Sequence, residues 1–183
     1  MTGPKQRFSG RIGDYVRYHP GSIQPRIRPL EERDTEAVVD LSMRAWAPVF
    51  ASLEQVLGSE IFGRMHPDWR EDQRRAVRDV CALQETRVWV AEVDETTVGF
   101  VAIKIFDPEI RMGEIYMLAV DPDHQGGGIG TALTEFALDR LKDAGMRVAM
   151  VETGGDPGHA APRRTYEKAG YVLLPVARYF KNL

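Results

Sequence analysis

A single cysteine, Cys81, among 183 residues excludes an internal disulfide and suits a reducing compartment. No apolar run approaches the roughly 18 residues of a membrane span. The polar, glycine-containing start does not resemble a secretory leader, so a cytoplasmic protein is expected. Four scattered histidines without ligand spacing give no expectation of a metal. Nor is there a second composition block or an internal repeat. At this length one domain can bury roughly 70% of its unfolded surface. The expected organisation is an irregular basic arm over residues 1–25 and one domain over 26–183.

Positive charge is unevenly spread, with an excess at the start. Residues 1–28 carry six Lys or Arg against Asp14 alone, so a local charge of +5 sits on a body of −8 within a net −3. Such an arm could meet nucleic acid or a membrane surface, but no nucleic-acid motif accompanies it, so neither partner is expected. A short strand near Tyr15 to Tyr18 is the only regular element the arm suggests.

The informative stretch is GEIYMLAVDPDHQGGGIGT, from Gly113 to Thr131. Ile115 to Val120 are apolar and β-prone, and Pro122 cannot continue a ladder. After Gln125 come Gly126, Gly127, Gly128 and Gly130, and from Ile129 apolar residues recur at 132, 133, 136, 137 and 141, which is helical spacing. The order is strand, glycine-rich turn, helix. Unpaired N–H groups at a helix start, with the dipole behind them, attract anions, and glycines admit one to hydrogen-bonding distance. A P-loop would require Lys-Ser/Thr where the chain has Ile129, Gly130 and Thr131. A dinucleotide fingerprint would require a third glycine at Thr131.

What fits is Gln-x-x-Gly-x-Gly, at Gln125, Gly128 and Gly130. Here the sequence resembles the GNAT superfamily of acyl-CoA-dependent N-acetyltransferases, whose pyrophosphate motif has this form and position. A second matching segment is Tyr166-Glu-Lys-Ala-Gly-Tyr171, similar to the family's Tyr-x-x-x-Gly-Phe/Tyr signature. His159, where many members have asparagine, and Pro162, where alanine is usual, depart from it. The resemblance implies an α+β sandwich: a mixed, mostly antiparallel sheet of six or seven strands with helices on both faces. It also implies acetyl-CoA as co-substrate and no metal. The pyrophosphate would meet the backbone of Gln125, Gly126, Gly127, Gly128, Ile129, Gly130 and Thr131. The pantetheine arm would lie along Leu118, Ala119 and Val120, with an oxyanion donor at the Leu118 main chain. A homodimer is common in the family.

Acyl transfer to an amine sets its own requirements. An amine with a pKa near 10.4 must lose a proton before it attacks, and the departing thiolate gains one. Glu114 opens the strand leading to the glycine loop and is the expected base; by alternation it shares a face with Tyr116, Leu118 and Val120. His159 and water stay open as alternatives for the base. Tyr166 is the expected acid. Cys81 falls in a helical apolar stripe with Trp69, Ala76, Val77 and Val80, where a thiol is buried and inert, which disfavours a covalent route. Trp46 and Phe50 are candidates to line the acceptor site, with core packing the competing explanation. The acceptor, a small-molecule or a protein amine, cannot be read from the sequence. A non-catalytic acyl-CoA-binding module is the alternative function.

The remaining elements follow from punctuation. Arg26 to Leu30 reads as an edge strand. A helix capped by Asp34 runs to about Trp46 and stops at Pro48, and Ser52 with Gln55 forms a capping box for a short helix ending at Gly58. Another helix starts at Asp68. Arg87 to Val93 and Thr97 to Phe106 form a hairpin, with Gly99 marking a bulge or close approach. Arg147 to Thr153 is a buried strand, Pro162 to Ala169 a helix, and Tyr171 to Phe180 terminal strand material interrupted by Pro175.

Overall fold

A computed structural model describes residues 24–107 and 109–183. The expected strand near Tyr15 to Tyr18 and the basic arm before residue 24 lie outside the described residues. Five strands form one sheet in sequence order: β1 (Arg26–Pro29), β2 (Thr86–Val93), β3 (Thr96–Asp107), β4 (Met112–Val120) and β5 (Val148–Val151). The first four are antiparallel and β5 runs parallel to β4. Helices α1 (Thr35–Leu57), α2 (Ser59–Met65) and α3 (Trp69–Ala82) precede β2, α4 (Ile129–Asp143) joins β4 to β5, and α5 (Ala160–Lys168) follows.

Two apolar clusters hold the layers together. On one face Ile129, Leu133, Ala137 and Leu141 of α4 meet Val98, Val101, Ile103, Ile115 and Val120. On the other, Val38, Val39 and Leu41 of α1 with Val77 and Val80 of α3 meet Val90, Phe100, Ala102 and Ala119. Burial on both faces explains why β3 reads as a continuous apolar run.

Three expectations are corrected. The sheet has five strands among the described residues, not six or seven: residues 171–183 adopt no regular element, and Val172, Leu174, Val176 and Tyr179 are exposed. Pro175, without an N–H, weakens that segment as a ladder partner. Second, α1 does not stop at Pro48 but continues to Leu57, with Gly58 at its C-cap at φ 77°. A proline removes one helical hydrogen bond, a loss that tertiary contacts of the following turns offset. Ser52 and Gln55 therefore lie within α1 and start no helix of their own. Third, Asp34 occupies the N-cap position of α1 but its carboxylate is used elsewhere. It accepts from Arg28 Nη1 at 2.6 Å and Nη2 at 2.9 Å and from the Glu31 N–H at 2.8 Å, while Arg28 Nε reaches Glu92 at 2.9 Å. This largely buried arginine and its two carboxylates tie β1, β2 and the entry to α1 together.

Two further differences are β5, which is shorter than Arg147 to Thr153 and partly exposed rather than buried, and α2, for which the sequence carried no expectation. Other boundaries agree closely. Asp68 caps α3 by accepting from the Glu71 N–H, and Asp94 and Glu95 make the hairpin turn with φ of 48° and 61°. Gly99 shows the close approach, since a Cβ there would lie 3.0 Å from the Ala119 carbonyl oxygen, and the residue that the β2–β3 register skips is its neighbour Val98.

Two measurements test these contacts. At Gly113 a Cβ would come within 2.3 Å of Leu141 Cδ2 and 3.1 Å of Met146 Cγ. Gly113→Ala should therefore cost about 1–3 kcal/mol by overpacking, recovered in part by Leu141→Ala, as read from urea denaturation. The Arg28 hydrogen bonds hold the Asp34 carboxyl below its ordinary range. That stabilisation is complete above the unfolded pKa near 4 and is lost as pH falls through the lowered folded value. Asp34→Asn should thus cost roughly 1–3 kcal/mol at pH 7, with the gap to the native protein narrowing at pH 2–3.

Candidate functional site

The site is built on β4, and one irregularity decides its shape. Ala102 pairs with Met117 while the next residue, Ile103, pairs with Ile115, so Tyr116 is an extra residue, a β-bulge. Alternation slips by one there. Ile115, Leu118 and Val120 pack on the α4 side, and Met117 and Ala119 on the α1 side. The expectation that Glu114 shares a face with Leu118 and Val120 is thereby corrected: its neighbour Ile115 points to α4, so Glu114 points to the α1 layer.

At the same residue the sheet opens. β5 pairs with β4 only from Met112↔Val148 to Ile115↔Val151. From Tyr116 to Val120 the β4 edge facing away from β3 has no strand partner among the described residues. The peptide after Val120 shows which way this edge faces. Its N–H, on Asp121, donates to Val98 O of β3 at 2.8 Å, so the Val120 carbonyl points to the open side, where Gln125 Nε2 donates to it at 3.0 Å. Gln125 therefore ties the glycine loop to the open edge through its side chain.

The loop has the geometry of an anion cradle. Gly126 and Gly128 have φ of 80° and 91°, a region that side chains disfavour, and Gly128 is the N-cap of α4. The first backbone hydrogen bond of the helix is from Ala132 N–H to Gly128 O. The N–H groups of Gly126, Gly127, Gly128, Ile129, Gly130 and Thr131 have no acceptor among the described residues. Six donors behind a helix dipole suit a diphosphate. The turn before the loop is clamped from α1: Arg44 pairs with the buried Asp121 and, at 2.9 Å, with Asp123. No sequence signal marks Arg44, since its partners lie almost 80 residues away.

Glu114 is 8% exposed. Lys104, its cross-strand partner, places Nζ 3.3 Å from Oε2, outside hydrogen-bonding geometry, and 3.5 Å from the centre of the Tyr116 ring. The buried Oε2 thus has an ion-pair partner but no hydrogen-bond donor among the described residues. Tyr166 lies on α5, which packs on α4, and its ring meets Tyr171 edge-on at 5.8 Å. Burial pushes its phenol up to about 12, so it stays protonated at neutral pH. Phe50 stacks on Trp69 at 4.3 Å, and Trp46 meets Phe100 edge-on at 6.4 Å. Both rings are partly buried in aromatic contacts, with Phe50 at the α1–α3 junction and Trp46 against the core. Among the described residues no group of three or more His, Cys, Asp or Glu is placed to hold a metal ion, and no helix is long and apolar enough to cross a membrane.

A mixed sheet that opens beside a strand, glycine loop and helix is the architecture of an N-acetyltransferase. The structure overlays on the PaiA N-acetyltransferase of Thermoplasma acidophilum in complex with coenzyme A with a TM-score of 0.62, at 17% identity over 85% of this chain and 94% of that one. Residues 54–171 match the acetyltransferase (GNAT) family, and the chain belongs to that family. Among curated relatives, a mycothiol acetyltransferase of Amycolatopsis mediterranei is 33% identical over 148 residues, covering 76% of this chain and 43% of that protein. One from Sanguibacter keddieii is 44% identical over 91 residues, covering 48% of this chain and 28% of that protein. The chain therefore spans less than half the length of these relatives.

Cys81 packs beside the α1–α3 cluster, and burial pushes its thiol up to about 11. At pH 8 its thiolate fraction, and so its alkylation rate by iodoacetamide, should be roughly two orders of magnitude below that of an unperturbed thiol near 8.5, rising to the ordinary rate in denaturant.

Proposed function

We propose that this chain transfers an acetyl group from acetyl-CoA to a primary amine by direct attack in a ternary complex. The observation that carries the reading is the conjunction of six free N–H groups at the α4 start with an open β4 edge leading away from them. Diphosphate in the cradle and the pantetheine along Leu118, Ala119 and Val120, bonded like an added strand, would lead the thioester back toward Tyr116, where the sheet closes. The bulge there frees backbone groups from the ladder, and the Leu118 N–H is the proposed oxyanion donor.

The acyl donor supplies an activated carbonyl and a thiolate leaving group. Glu114, at the closed end of the split and on the α1 side, takes a proton from the acceptor ammonium, directly or through water. Lys104 steadies its carboxylate from the neighbouring strand. Tyr166, kept neutral by burial, gives its proton to the departing sulfur. A thiolate relay through Cys81 is disfavoured by its raised pKa. Trp46 and Phe50 line the acceptor side in this reading, while their packing contacts favour a structural role.

The acceptor class is the least constrained part. The curated relatives are named for mycothiol, and a fold neighbour at TM-score 0.54 and 17% identity is an aminoglycoside acetyltransferase in complex with sisomicin. A small amine is therefore the first class to screen, with protein amines second. Oligomeric state, for which a dimer is the family habit, is set by sedimentation.

Two variants test the reading. Gly128→Glu adds a side chain at φ 91° and a negative charge to the cradle, and should weaken acetyl-CoA binding at least 100-fold by calorimetry with the fold retained. Glu114→Gln and Tyr166→Phe should each lower kcat by 10²–10³-fold in thiol-release assays while leaving acetyl-CoA affinity within about threefold. Tight binding without turnover of any amine would instead identify a non-catalytic acyl-CoA-binding module, and no acetyl-CoA binding by the native protein would overturn both.

A further inference from the structure

The loop leaving β5 carries a side-chain cluster that the reading above does not use. Asp156 heads a 3-10 turn over Pro157–His159. Its Oδ2 accepts from the Gly158 N–H at 2.9 Å and from the Ser52 hydroxyl at 2.7 Å, and its Oδ1 meets His159 Nδ1. The Asp156 side chain is 5% exposed and that of His159 16%. Burial alone would raise the Asp156 carboxyl, but the Ser52 and His159 hydrogen bonds outweigh it and hold the group below its ordinary value.

A simple loop cap needs only Asp156 and the Gly158 N–H. This cluster is more closely built. Ser52 reaches it because α1 continues past Pro48. A Cβ at Gly154 would lie 2.4 Å from both Asp156 Oδ1 and His159 Nδ1, and one at Gly158 would lie 2.7 Å from Ser52 Cβ. Neither glycine has a positive φ, so their smallness is what the packing uses. The charged groups around the ring are few. Asp156 faces it from the loop, and Arg163 of α5 spends its Nη1 on the carbonyls of Gly154 at 2.5 Å and Asp156 at 2.8 Å. From α1 the neutral Ser52 hydroxyl reaches the cluster. No other charged side chain among the described residues pairs with Asp156 or His159.

A carboxylate on Nδ1 keeps the ring proton there and leaves the lone pair on Nε2, which has no partner among the described residues. The start of the segment is also placed. β5 ends at Val151, opposite Ile115, so the 152–159 segment leaves the sheet where β4 and β5 part.

We propose that His159, oriented by Asp156 and Ser52, is a second proton acceptor of the amine site, working beside Glu114; the inference rests on the acetyl-transfer reading. The reaction supplies the need. The acceptor R–NH3+ loses one proton to become nucleophilic, the C–N bond forms, and the nitrogen loses a second proton as the C–S bond breaks. One proton goes to the thiolate, so one leaves the site per turnover. Glu114 takes one of the two nitrogen protons and Nε2 of His159 the other. Ser52 and Asp156 are positioning residues, holding the tautomer that makes Nε2 basic.

The test is nitrogen-15 NMR of the histidine rings in the full chain, with the His159 signals assigned from His159→Gln, alone and saturated with CoA. The expected result is protonation at Nδ1 in the neutral ring, and a His159 titration displaced by at least a few tenths of a pH unit when CoA binds. In Asp156→Asn the ring should become a mixture of tautomers. CoA binding by calorimetry with His159 signals unmoved would make the cluster a loop cap and overturn the proposal, whereas absence of CoA binding would instead overturn the donor reading. With any amine that gives thiol release, His159→Gln should lower kcat 10–100-fold and Ser52→Ala about 2–10-fold. Both should leave KM for acetyl-CoA within about threefold and shift the acid limb of the pH profile. A His159→Gln kcat within twofold of the native value would overturn the proposal whatever the NMR shows.

Discussion

The parting of β4 from β5 at Tyr116 is the constraint on which the rest of this structure depends. Backbone N–H and C=O groups within a sheet must find partners, and a strand is ordinarily left unpaired only at an outer edge. Here β4 is paired on both sides over Met112–Ile115 and on one side over Met117–Val120, inside the sheet. The bulge at the start of the split turns Leu118 and Val120 onto the α4 face and leaves Glu114 on the α1 face. One inserted residue thus separates the Glu114 carboxylate from the apolar residues that seat α4.

The surrounding interactions keep that opening from closing. Gln125 caps the Val120 carbonyl, Arg44 clamps Asp121 and Asp123, and Gly99 lets the β3 backbone come against the Ala119 carbonyl. These contacts fix the far end of the split, where the glycine loop begins. At the near end, Gly113 lets Leu141 and Met146 press onto β4 where it is still doubly paired. An opening held at both ends by packing needs no ligand to form, which would lower the ordering cost of the proposed binding.

Charge is used sparingly and locally. The Arg28, Asp34 and Glu92 cluster joins the first strand to the sheet at the opposite edge from the split. Elsewhere the ionisable groups are individually held: Glu114 by the Lys104 ion pair and Asp156 by Ser52 and His159, while burial pushes the Tyr166 phenol up to about 12. The proposed acetyl transfer would call for groups of unlike proton affinity, and Glu114, His159 and Tyr166 are the candidates for them.

Local signals were sufficient wherever the determining residues are neighbours in the chain. The strand, glycine loop and helix from Gly113 to Asp143, the Asp68 cap and the Asp94-Glu95 turn all follow from residues within a few positions of one another, because turn and cap energetics are local. The family signature belongs to this kind. What only the tertiary structure decided depends on residues far apart. Helix α1 passes Pro48 because contacts such as that of Ser52 with Asp156, more than 100 residues away, offset the lost hydrogen bond. Asp34 forgoes its cap for Arg28, and the terminal segment, β-prone in composition, does not join the sheet. The bulge at Tyr116 sets the face of Glu114, and no alternation rule contains it, since a strand's register is defined only against its partner. The sequence thus determined by itself the strand, the glycine loop and the helix start, and the long-range packing determined which way Glu114 faces and where the sheet opens.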